Sequence, residues 1–361
     1  TWPEAKVREF KLNGAALTKS LEQSRCATVV LHYVGYAYQP KGIPVWLPRA
    51  LRQWRHGGKS ATPSAPRRLV VMFHEMYARS SPLRSPFWVG PFARRIIRDL
   101  VTLSDAWVTS CERYHRQLTT EFGAEKTEGR ILPIPSNIPA PGEITFEETR
   151  GGRLRAVLFG LAKTRLWALE RHWQLLRALH QASRLEHITL MGKRPEPEDE
   201  RAWQSWSERI GPGVKWRQRF DLSTSEISAE LAQHDLGLLA NEPDILTKSG
   251  VFAALATHGV IPIVSTPAGE ALPESVARAA LANDDGGAIA PLVAALRDAT
   301  LLRPRRDELL AFAARELAWP GIARNWADVL SGTGARKSAG PWPTAESASE
   351  LPNERTLGVS A

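Results

Sequence analysis

The stretch that decides the fold runs from Asp235 to Val264 and reads DLGLLANEPDILTKSGVFAALATHGVIPIV. Its apolar beginning, residues 235–240, and its apolar end, residues 261–265, are each predicted to be a strand. Residues 249–258 between them are predicted to be a helix that starts at a serine and ends before a glycine. Two short apolar strands connected through a helix predict a parallel sheet covered by helices.

The same alternation of strands and helices extends outward along the chain. Further strands are predicted at residues 28–33, 68–74, 106–110, 130–134, 154–159, 187–191 and 214–220. Helices are predicted at residues 15–24, 48–55, 91–103, 113–122, 165–182, 198–210 and 224–233. The predicted fold class is therefore α/β, with two Rossmann-like doubly wound domains facing each other across a cleft.

Composition places the domain boundaries. The first domain is predicted over residues 1–138, a linker over residues 139–152 and the second domain over residues 153–331. Residues 332–361 are small, polar and Pro-containing, which predicts a disordered tail. Ligands of doubly wound sheets bind at the carboxyl ends of the strands, so the cleft between the two sheets is the predicted site.

The overall composition limits the class of protein. The chain has 361 residues, of which 43% are hydrophobic and 24% charged, as in a folded protein with more than one core. No apolar run reaches the ~18–20 residues that a bilayer-spanning helix needs. Cys26 and Cys111 form no CxxC pair, which favours a reducing compartment. The cytoplasm is the predicted location.

Positive charge is concentrated in one segment. Residues 41–100 contain twelve Lys and Arg against Glu75 and Asp99, although the whole chain carries only +9. Such an excess attracts phosphate-rich partners, namely nucleic acid, anionic lipid head groups or a diphosphate-linked substrate. The sign of the charge does not choose among them.

The Lys248-Ser249-Gly250 sequence opens the predicted helix. A helix N-terminus presents free N–H groups and a positive dipole, and the lysine and serine add an ammonium and a hydroxyl, which suits a diphosphate. The alternative is that Ser249 only caps the helix and Lys248 is solvated.

Several segments together resemble the group-1, retaining-type nucleotide-sugar glycosyltransferases of the GT-B fold, including those of polysaccharide biosynthesis. The resemblance lies in the D-x-G-L-L strand end, the Lys-Ser-Gly helix start and the HGVIPIV segment at residues 258–264. Other matching segments are residues 158–160 with Lys163 and Arg165, residues 190–193, FHEMY at 73–77 with SPFW at 85–88, and WPGIA at 319–323. The last segment looks like the late helix that crosses back to the first domain in this family.

The resemblance implies a donor site in the second domain and an acceptor side in the first. The implied donor-binding residues are Gly160, Lys163, Arg165, Lys193, Glu242, Lys248, Ser249 and Gly250. His74 would contact the sugar or act as a general base, with Glu75 beside it. No metal or other cofactor is implied, because the cations and the helix terminus would stabilise the leaving diphosphate.

The sequence departs from the family pattern in two places. Ala254 and Leu246 stand where the family has paired carboxylates, one of which holds the donor ribose. Asp244 or Glu242 would substitute, or the backbone would hold the ribose, or activity would be lost. The chain also lacks a clear first strand and Gly-Gly loop before its first helix, which suggests a fragment.

Two other motifs are excluded, and His74 keeps two interpretations. His74-Glu75 is not a zinc motif because Ala78 stands where HExxH needs its second histidine. Residues 57–60 imitate the end of a P-loop, but Gln53 replaces the first glycine. As a lone histidine, His74 is either a structural residue or a cleft residue.

Residues 45–55 form an amphipathic pattern with tryptophans on one side and Arg49, Arg52 and Arg55 away from it. Such a helix would lie in a membrane interface, with its arginines on anionic lipids at the cytoplasmic face. The alternative is a helix that packs its apolar face on its own sheet.

The sequence therefore predicts a glycosyltransferase that moves a sugar from a nucleotide diphosphate sugar to a lipid-linked or saccharide acceptor in cell-envelope polysaccharide synthesis. An anionic membrane surface is a further expected partner. The alternative is a catalytically silent GT-B protein that binds a glycan or a partner enzyme, as the absent carboxylates suggest. Nucleic acid is not expected as a partner, because the basic segment contains no recognisable binding motif.

Overall fold

The computed structural model describes residues 12–57, 66–77, 85–142, 152–285, 289–297 and 299–332. These residues form two parallel β-sheets with helices on both faces. The predicted α/β class is thereby confirmed.

The first sheet has four parallel strands in the order β1-β2-β3-β4. Its elements are α1 (Gly14–Ser24), β1 (Thr28–Tyr33), α2 (Gly35–Tyr38), a 3₁₀ turn (Pro40–Gly42), α3 (Trp46–His56), β2 (Arg68–Phe73), α4 (Ser85–Leu103), β3 (Ala106–Thr109), α5 (Glu112–Phe122), a 3₁₀ turn (Ala124–Lys126) and β4 (Glu128–Ile131). Strands β2 and β3 are buried almost throughout, because helices cover both faces of the sheet.

The second sheet has six parallel strands in the order β10-β9-β8-β5-β6-β7. Its first elements are β5 (Leu154–Gly160), α6 (Ala162–Gln181), β6 (Leu185–Gly192), α7 (Pro197–Ile210), β7 (Trp216–Phe220), α8 (Thr224–Leu231) and β8 (Leu236–Leu239). The remaining elements are a 3₁₀ segment (Pro243–Lys248), α9 (Gly250–Thr257), β9 (Ile261–Pro267), α10 (Glu274–Ala277), β10 (Leu281–Asp285), α11 (Ile289–Arg297), α12 (Ala299–Phe312), a π-helical segment (Ala313–Leu317) and α13 (Trp319–Ser331).

The last helix of the described chain packs against the first sheet. Val329 of α13 belongs to the same apolar cluster as Val70 and Val108 of that sheet, and Trp326 packs against this cluster. The guanidinium of Arg68 donates a hydrogen bond to the carbonyl oxygen of Val329 at 2.9 Å. Helix α13 therefore connects the second half of the chain back to the first.

Helix α3 packs on its own sheet. Leu47, Leu51 and Trp54 on its apolar face are at most 1% exposed, so of the two interpretations the helix that packs this face on its own sheet is confirmed. Arg55 forms a bidentate ion pair with Asp105 at 2.7 and 2.9 Å. Arg49 is exposed on the opposite face, as is Arg52.

Helix α4 and the chain after β9 differ from the sequence prediction. Helix α4 begins at Ser85, so Pro91 lies inside it; proline removes one helical hydrogen bond there without ending the helix. Strand β10 and helices α11 and α12 were not predicted. The predicted tail from residue 333 onward and residues 58–60 of the P-loop-like sequence lie outside the described residues.

Candidate functional site

A cavity opens at the ends of β5 and β8 in the second sheet, where the order of successive strands reverses. The chain adds β6 and β7 on one side of β5, and β8, β9 and β10 on the other, so β5 and β8 border a topological switch point. The cavity here, which we term the switch-point cavity, has a volume of about 520 Å³. Its lining includes Gly160, Gly192, Lys193, Asn241, Ser249 and Val251.

Two glycines present bare backbone to the switch-point cavity. Gly160 ends β5 with φ 128°, and Gly192 ends β6 with φ 130°, conformations that L side chains rarely adopt. A Cβ on Gly192 would collide with the carbonyl oxygen of Gly160, and a Cβ on Gly160 would stand 3.4 Å from a methyl group of Val251. The strand ends therefore need glycine, and both glycines belong to the lining of the cavity.

The first turn of α9 also borders this cavity. Ser249 caps the helix, because its Oγ accepts the N–H of Phe252 at 3.2 Å. Helix geometry leaves the N–H groups of Gly250 and Val251 without an acceptor inside the helix. No heavy atom outside the helix's own local backbone lies within 4 Å of a Cβ on Gly250, among the residues that the structure describes. Ser249 thus caps the helix and lines the cavity at the same time.

Arg165 does not face the cavity. Its side chain is 1% exposed and donates hydrogen bonds to the carbonyl oxygens of Gly160, Met191 (3.3 Å) and Lys193 (2.8 Å). Burial lowers the pKa of its guanidinium to about 10. The prediction that Arg165 contacts the donor is wrong, because α6 begins at Ala162 and turns this side chain beneath the strand ends.

The two predicted lysines near these strand ends are exposed. Lys193 follows β6 and belongs to the cavity lining. Lys163 lies in the first turn of α6 and is outside that lining. Lys193 is therefore the better placed of the two for a ligand in the cavity.

Glu242 and Asp244 face the first sheet's helix α5. Arg113 forms ion pairs with both carboxylates, and Arg116 bonds Asp244 at 3.1 Å. The assignment of Glu242 as a donor-binding residue, and of Asp244 or Glu242 as a substitute for the missing carboxylates, stays a prediction, and the side chain of Glu242 is 51% exposed. Each carboxylate already has an arginine partner across the cleft, and that pairing could be found only once the two domains were placed together.

The positions of the missing carboxylates are apolar in the structure. Leu246 and Ala254 are both fully buried and belong to one hydrophobic cluster, together with Phe252. An ionised carboxylate at either position would be desolvated at high cost. Core residues therefore stand at the two positions where the resemblance implied carboxylates.

Lys248 lies between the two domains. Its Nζ is 3.1 Å from the phenol oxygen of Tyr114 and 4.9 Å from the centre of that ring. The Oε1 of Glu75 lies 3.9 Å from the same ammonium. The structure therefore brings together Lys248 and Glu75, which sequence reasoning had assigned to opposite sides of the cleft.

His74 follows β2 and is half-buried beside a second histidine. Its Nε2 lies 2.8 Å from Nδ1 of His32. Burial lowers the pKa of His74, the neighbouring His32 and Lys248 lower it further, and Glu75 opposes them. The imidazole is therefore neutral at pH 7 and able to accept a proton.

A second cavity adjoins Glu75 on the first domain. This cavity, which we term the α5 cavity, has a volume of about 560 Å³. Three tyrosines, Tyr36, Tyr77 and Tyr114, share its lining with Glu75 and Gln117. Residues 248 and 249 separate the two cavities, since Lys248 contacts Tyr114 of one and Ser249 lines the other.

Sequence reasoning missed several residues of the cleft. His32 is a polar residue near the carboxyl end of an apolar strand, and that position was a usable signal. Asn241 follows the end of β8 and offered the same signal. Arg113 and Tyr114 lie on a helix whose pattern does not reveal which residues face a second domain.

The described part of the chain contains neither a cluster of metal-ligating residues nor a helix that could span a membrane. No group of three or more His, Cys, Asp or Glu residues is arranged there to hold a metal ion. None of the helices described is long and apolar enough to cross a membrane.

The chain is similar to solved glycosyltransferase structures. A sucrose-phosphate synthase from Thermosynechococcus elongatus is 13% identical, with 89% of this chain and 77% of that chain covered and a TM-score of 0.58. A glycosyltransferase from Rickettsia africae is 10% identical, with 91% and 84% covered and a TM-score of 0.59. A trehalose-6-phosphate structure from E. coli with bound UDP-2-fluoro glucose is 11% identical, with 88% and 76% covered and a TM-score of 0.56.

At these identities the likeness establishes the fold. The chain has the GT-B fold, and the resemblance inferred from its motifs is confirmed at that level. No family model matches the chain, and no curated protein matches it by sequence.

Proposed function

We propose that the chain is a glycosyltransferase that binds a nucleotide diphosphate sugar in the switch-point cavity. The observation that carries the proposal is the bare backbone of Gly160 and Gly192 opposite the open first turn of α9. A diphosphate needs close approach to main-chain N–H groups and a positive dipole, and both are present at this helix start. UDP-2-fluoro glucose is bound in one of the similar structures, which supports a nucleotide sugar as the ligand class.

The acceptor is proposed to bind in the α5 cavity. Residues 248 and 249 lie between this cavity and the switch-point cavity, so a sugar transferred between them passes Lys248 and Glu75. Tyrosine rings and the amide of Gln117 suit a saccharide, because sugars combine apolar faces with hydroxyl groups. A lipid-linked saccharide would bind in the same cavity through its sugar portion. A role in cell-envelope polysaccharide synthesis therefore remains part of the proposal.

The chemical task of the protein is to stabilise the departing diphosphate. The N–H groups at the start of α9 and the ammonium groups of Lys248 and Lys193 are the proposed stabilising groups. His74 is proposed to contact a sugar hydroxyl or to accept its proton, because its pKa is lowered and the ring is neutral. The proposal involves no metal ion or other cofactor.

A specific observation favours a second candidate. Leu246 and Ala254 are fully buried at the positions where the motif resemblance implies carboxylates, so the donor ribose would have to be held in another way. If it is not held, the chain is a catalytically silent GT-B protein that binds a glycan or a partner enzyme.

One experiment separates the two candidates. The protein is incubated with UDP-, GDP- and ADP-linked sugars, with and without a panel of oligosaccharide acceptors, and release of the nucleotide diphosphate is followed. The proposed transferase releases it faster with one acceptor than without. Binding of a nucleotide sugar without any release would favour the silent protein, and absence of both would contradict the donor site.

A further inference from the structure

Two imidazoles meet at the carboxyl ends of the first two strands. Nδ1 of His32 and Nε2 of His74 are 2.8 Å apart, and the two rings are inclined by only 22°. The backbone holds them in this register, because the N–H of His74 donates to the carbonyl oxygen of Tyr33 at 3.1 Å and extends the ladder between β1 and β2. The contact therefore depends on strand pairing and not on a loop.

This contact restricts the chemistry of His74. Burial lowers the pKa of both histidines, so both rings are neutral at pH 7 and one must donate while the other accepts. Whichever ring donates, Nε2 of His74 is occupied by His32. Nδ1 is then the nitrogen of His74 that remains for a ligand.

Among the residues that the structure describes, two charged side chains act on His74. Lys248 reaches it from the second domain, and Glu75 follows His74 in the chain. Helix α13 contributes the neutral ring of Trp326, whose centre lies 6.3 Å from that of His32. Nδ1 of His32 is thus available for the hydrogen bond with Nε2 of His74.

We infer that His32 is a positioning residue for His74, holding the ring through Nε2 so that Nδ1 meets the sugar or acceptor hydroxyl. This inference rests on the proposed function, although its structural part can be tested without turnover. If Nδ1 accepts the hydroxyl proton, the O–H bond breaks, its electron pair stays on the oxygen, and the Nε2–H of the new imidazolium donates to Nδ1 of His32. His32 then stabilises the charged ring without touching the substrate.

The first test follows the tautomer of His74 by NMR in protein labelled with ¹⁵N at histidine. We compare the wild type with His32→Ala, His32→Asn and the control His56→Ala, an exposed histidine at the end of α3. In the wild type and the control, His74 should show one tautomer. In His32→Ala, His74 should show a mixture of both tautomers, and the pKa of His74 should be higher. Asparagine should restore the single tautomer, because its amide oxygen can accept the Nε2–H of His74. An unchanged His74 tautomer and titration in His32→Ala would overturn the inference.

The second test measures transfer rate and nucleotide affinity in the same variants. His32→Ala should lower the transfer rate about tenfold or more, His32→Asn should recover most of it, and nucleotide affinity should stay within about twofold. An equal loss in both variants, or an unchanged rate in both, would contradict a positioning role. If the wild type transfers no sugar, the proposed function fails, while the NMR result still decides whether His32 orients His74.

Discussion

At the residue scale, the neutral imidazole of His74 lies at the strand end that borders the cleft, hydrogen-bonded to His32. We predict that His74→Asn keeps the melting temperature and lowers sugar transfer about 10–10³-fold, because a half-buried imidazole contributes little packing while the proposed proton-accepting role would be lost. The wild-type rate should fall only as the pH drops below the lowered pKa of His74. Parallel thermal melts and rate measurements check this. A variant that loses stability and activity together would make His74 a core residue.

Lys248 and Arg165 should respond oppositely to removal of their charge. Lys248→Met should weaken nucleotide diphosphate binding by ~1.5–3 kcal/mol if its ammonium contacts the phosphates, and should leave the melting temperature nearly unchanged. Arg165→Met should lower the free energy of unfolding by about 2 kcal/mol or more, because it leaves buried carbonyl oxygens without a donor. Calorimetric titration and denaturant unfolding of both variants measure the two effects. A loss of nucleotide binding in Arg165→Met and a loss of stability in Lys248→Met would show that Arg165, and not Lys248, contacts the donor.

Single residues also show where sequence reasoning ends. Ser249, Gly160 and Lys193 were predicted and lie at the cavity, since their positions at strand ends and at a helix start follow from the local pattern. Arg165 was misplaced, and the ion pair of Glu242 with Arg113 was missed. The direction of an arginine in a first helical turn depends on where the helix begins, and the partner of Glu242 comes from a helix about 130 residues earlier in the chain.

At the element scale, the contact between α8 and β6 contains a buried histidine. The Nδ1–H of His234 donates to the carbonyl oxygen of Glu230, and its Nε2 accepts from Thr189, both at 2.8 Å. Burial lowers the pKa of His234 from 6.5 to about 3. The folded protein therefore excludes a proton that the unfolded chain binds, and stability is lost as the pH falls from about 6.5 toward 3.

We predict that His234→Gln reduces the dependence of unfolding free energy on pH between 6.5 and 4, whatever its effect at pH 7. Denaturant unfolding at several pH values provides the slopes, with the exposed His56→Gln as control. The buried His258 keeps part of the dependence in both variants. A slope equal to that of the wild type would show that His234 is not the group responsible.

Strands and helices with a clear apolar period were predictable, whereas β10, α11 and α12 were not. Strand β9 and helix α9 follow from an apolar stretch bounded by a serine cap and a glycine. Strand β10 reads LANDD, and three of its five residues are polar. Its strand conformation comes from pairing with β9 at the sheet edge, which a local pattern does not contain.

At the scale of the whole molecule, the first domain has exposed basic side chains on α3 and an exposed apolar side chain on α4. Arg49 and Arg52 are exposed on α3, and Phe92 is 58% exposed on α4. We predict reversible binding to anionic vesicles that weakens with salt, at about 1 kcal/mol for each basic side chain near the surface. Arg55 is left out of this surface, because it is paired with Asp105.

Co-sedimentation with anionic and neutral vesicles at low and high ionic strength measures this binding. Arg49→Gln with Arg52→Gln should weaken it, whereas the matched pair Arg177→Gln with Arg201→Gln, exposed on α6 and α7, should not. Equal binding to both vesicle types, or an equal effect of the two double substitutions, would contradict the predicted binding to an anionic membrane.

The central claim is that a nucleotide diphosphate binds at the start of α9, and calorimetric titration with UDP, GDP and ADP tests it most directly. Gly250 has open space around its Cβ position, and a carboxylate in a first helical turn stabilises a helix by ~0.3–1 kcal/mol. Gly250→Glu should therefore stay folded yet bind at least tenfold more weakly, because its charge repels the diphosphate. The neutral Gly250→Gln should stay within about threefold of the wild type. Equal affinity in all three proteins, or no binding of any of these nucleotides to the wild type, would contradict the account.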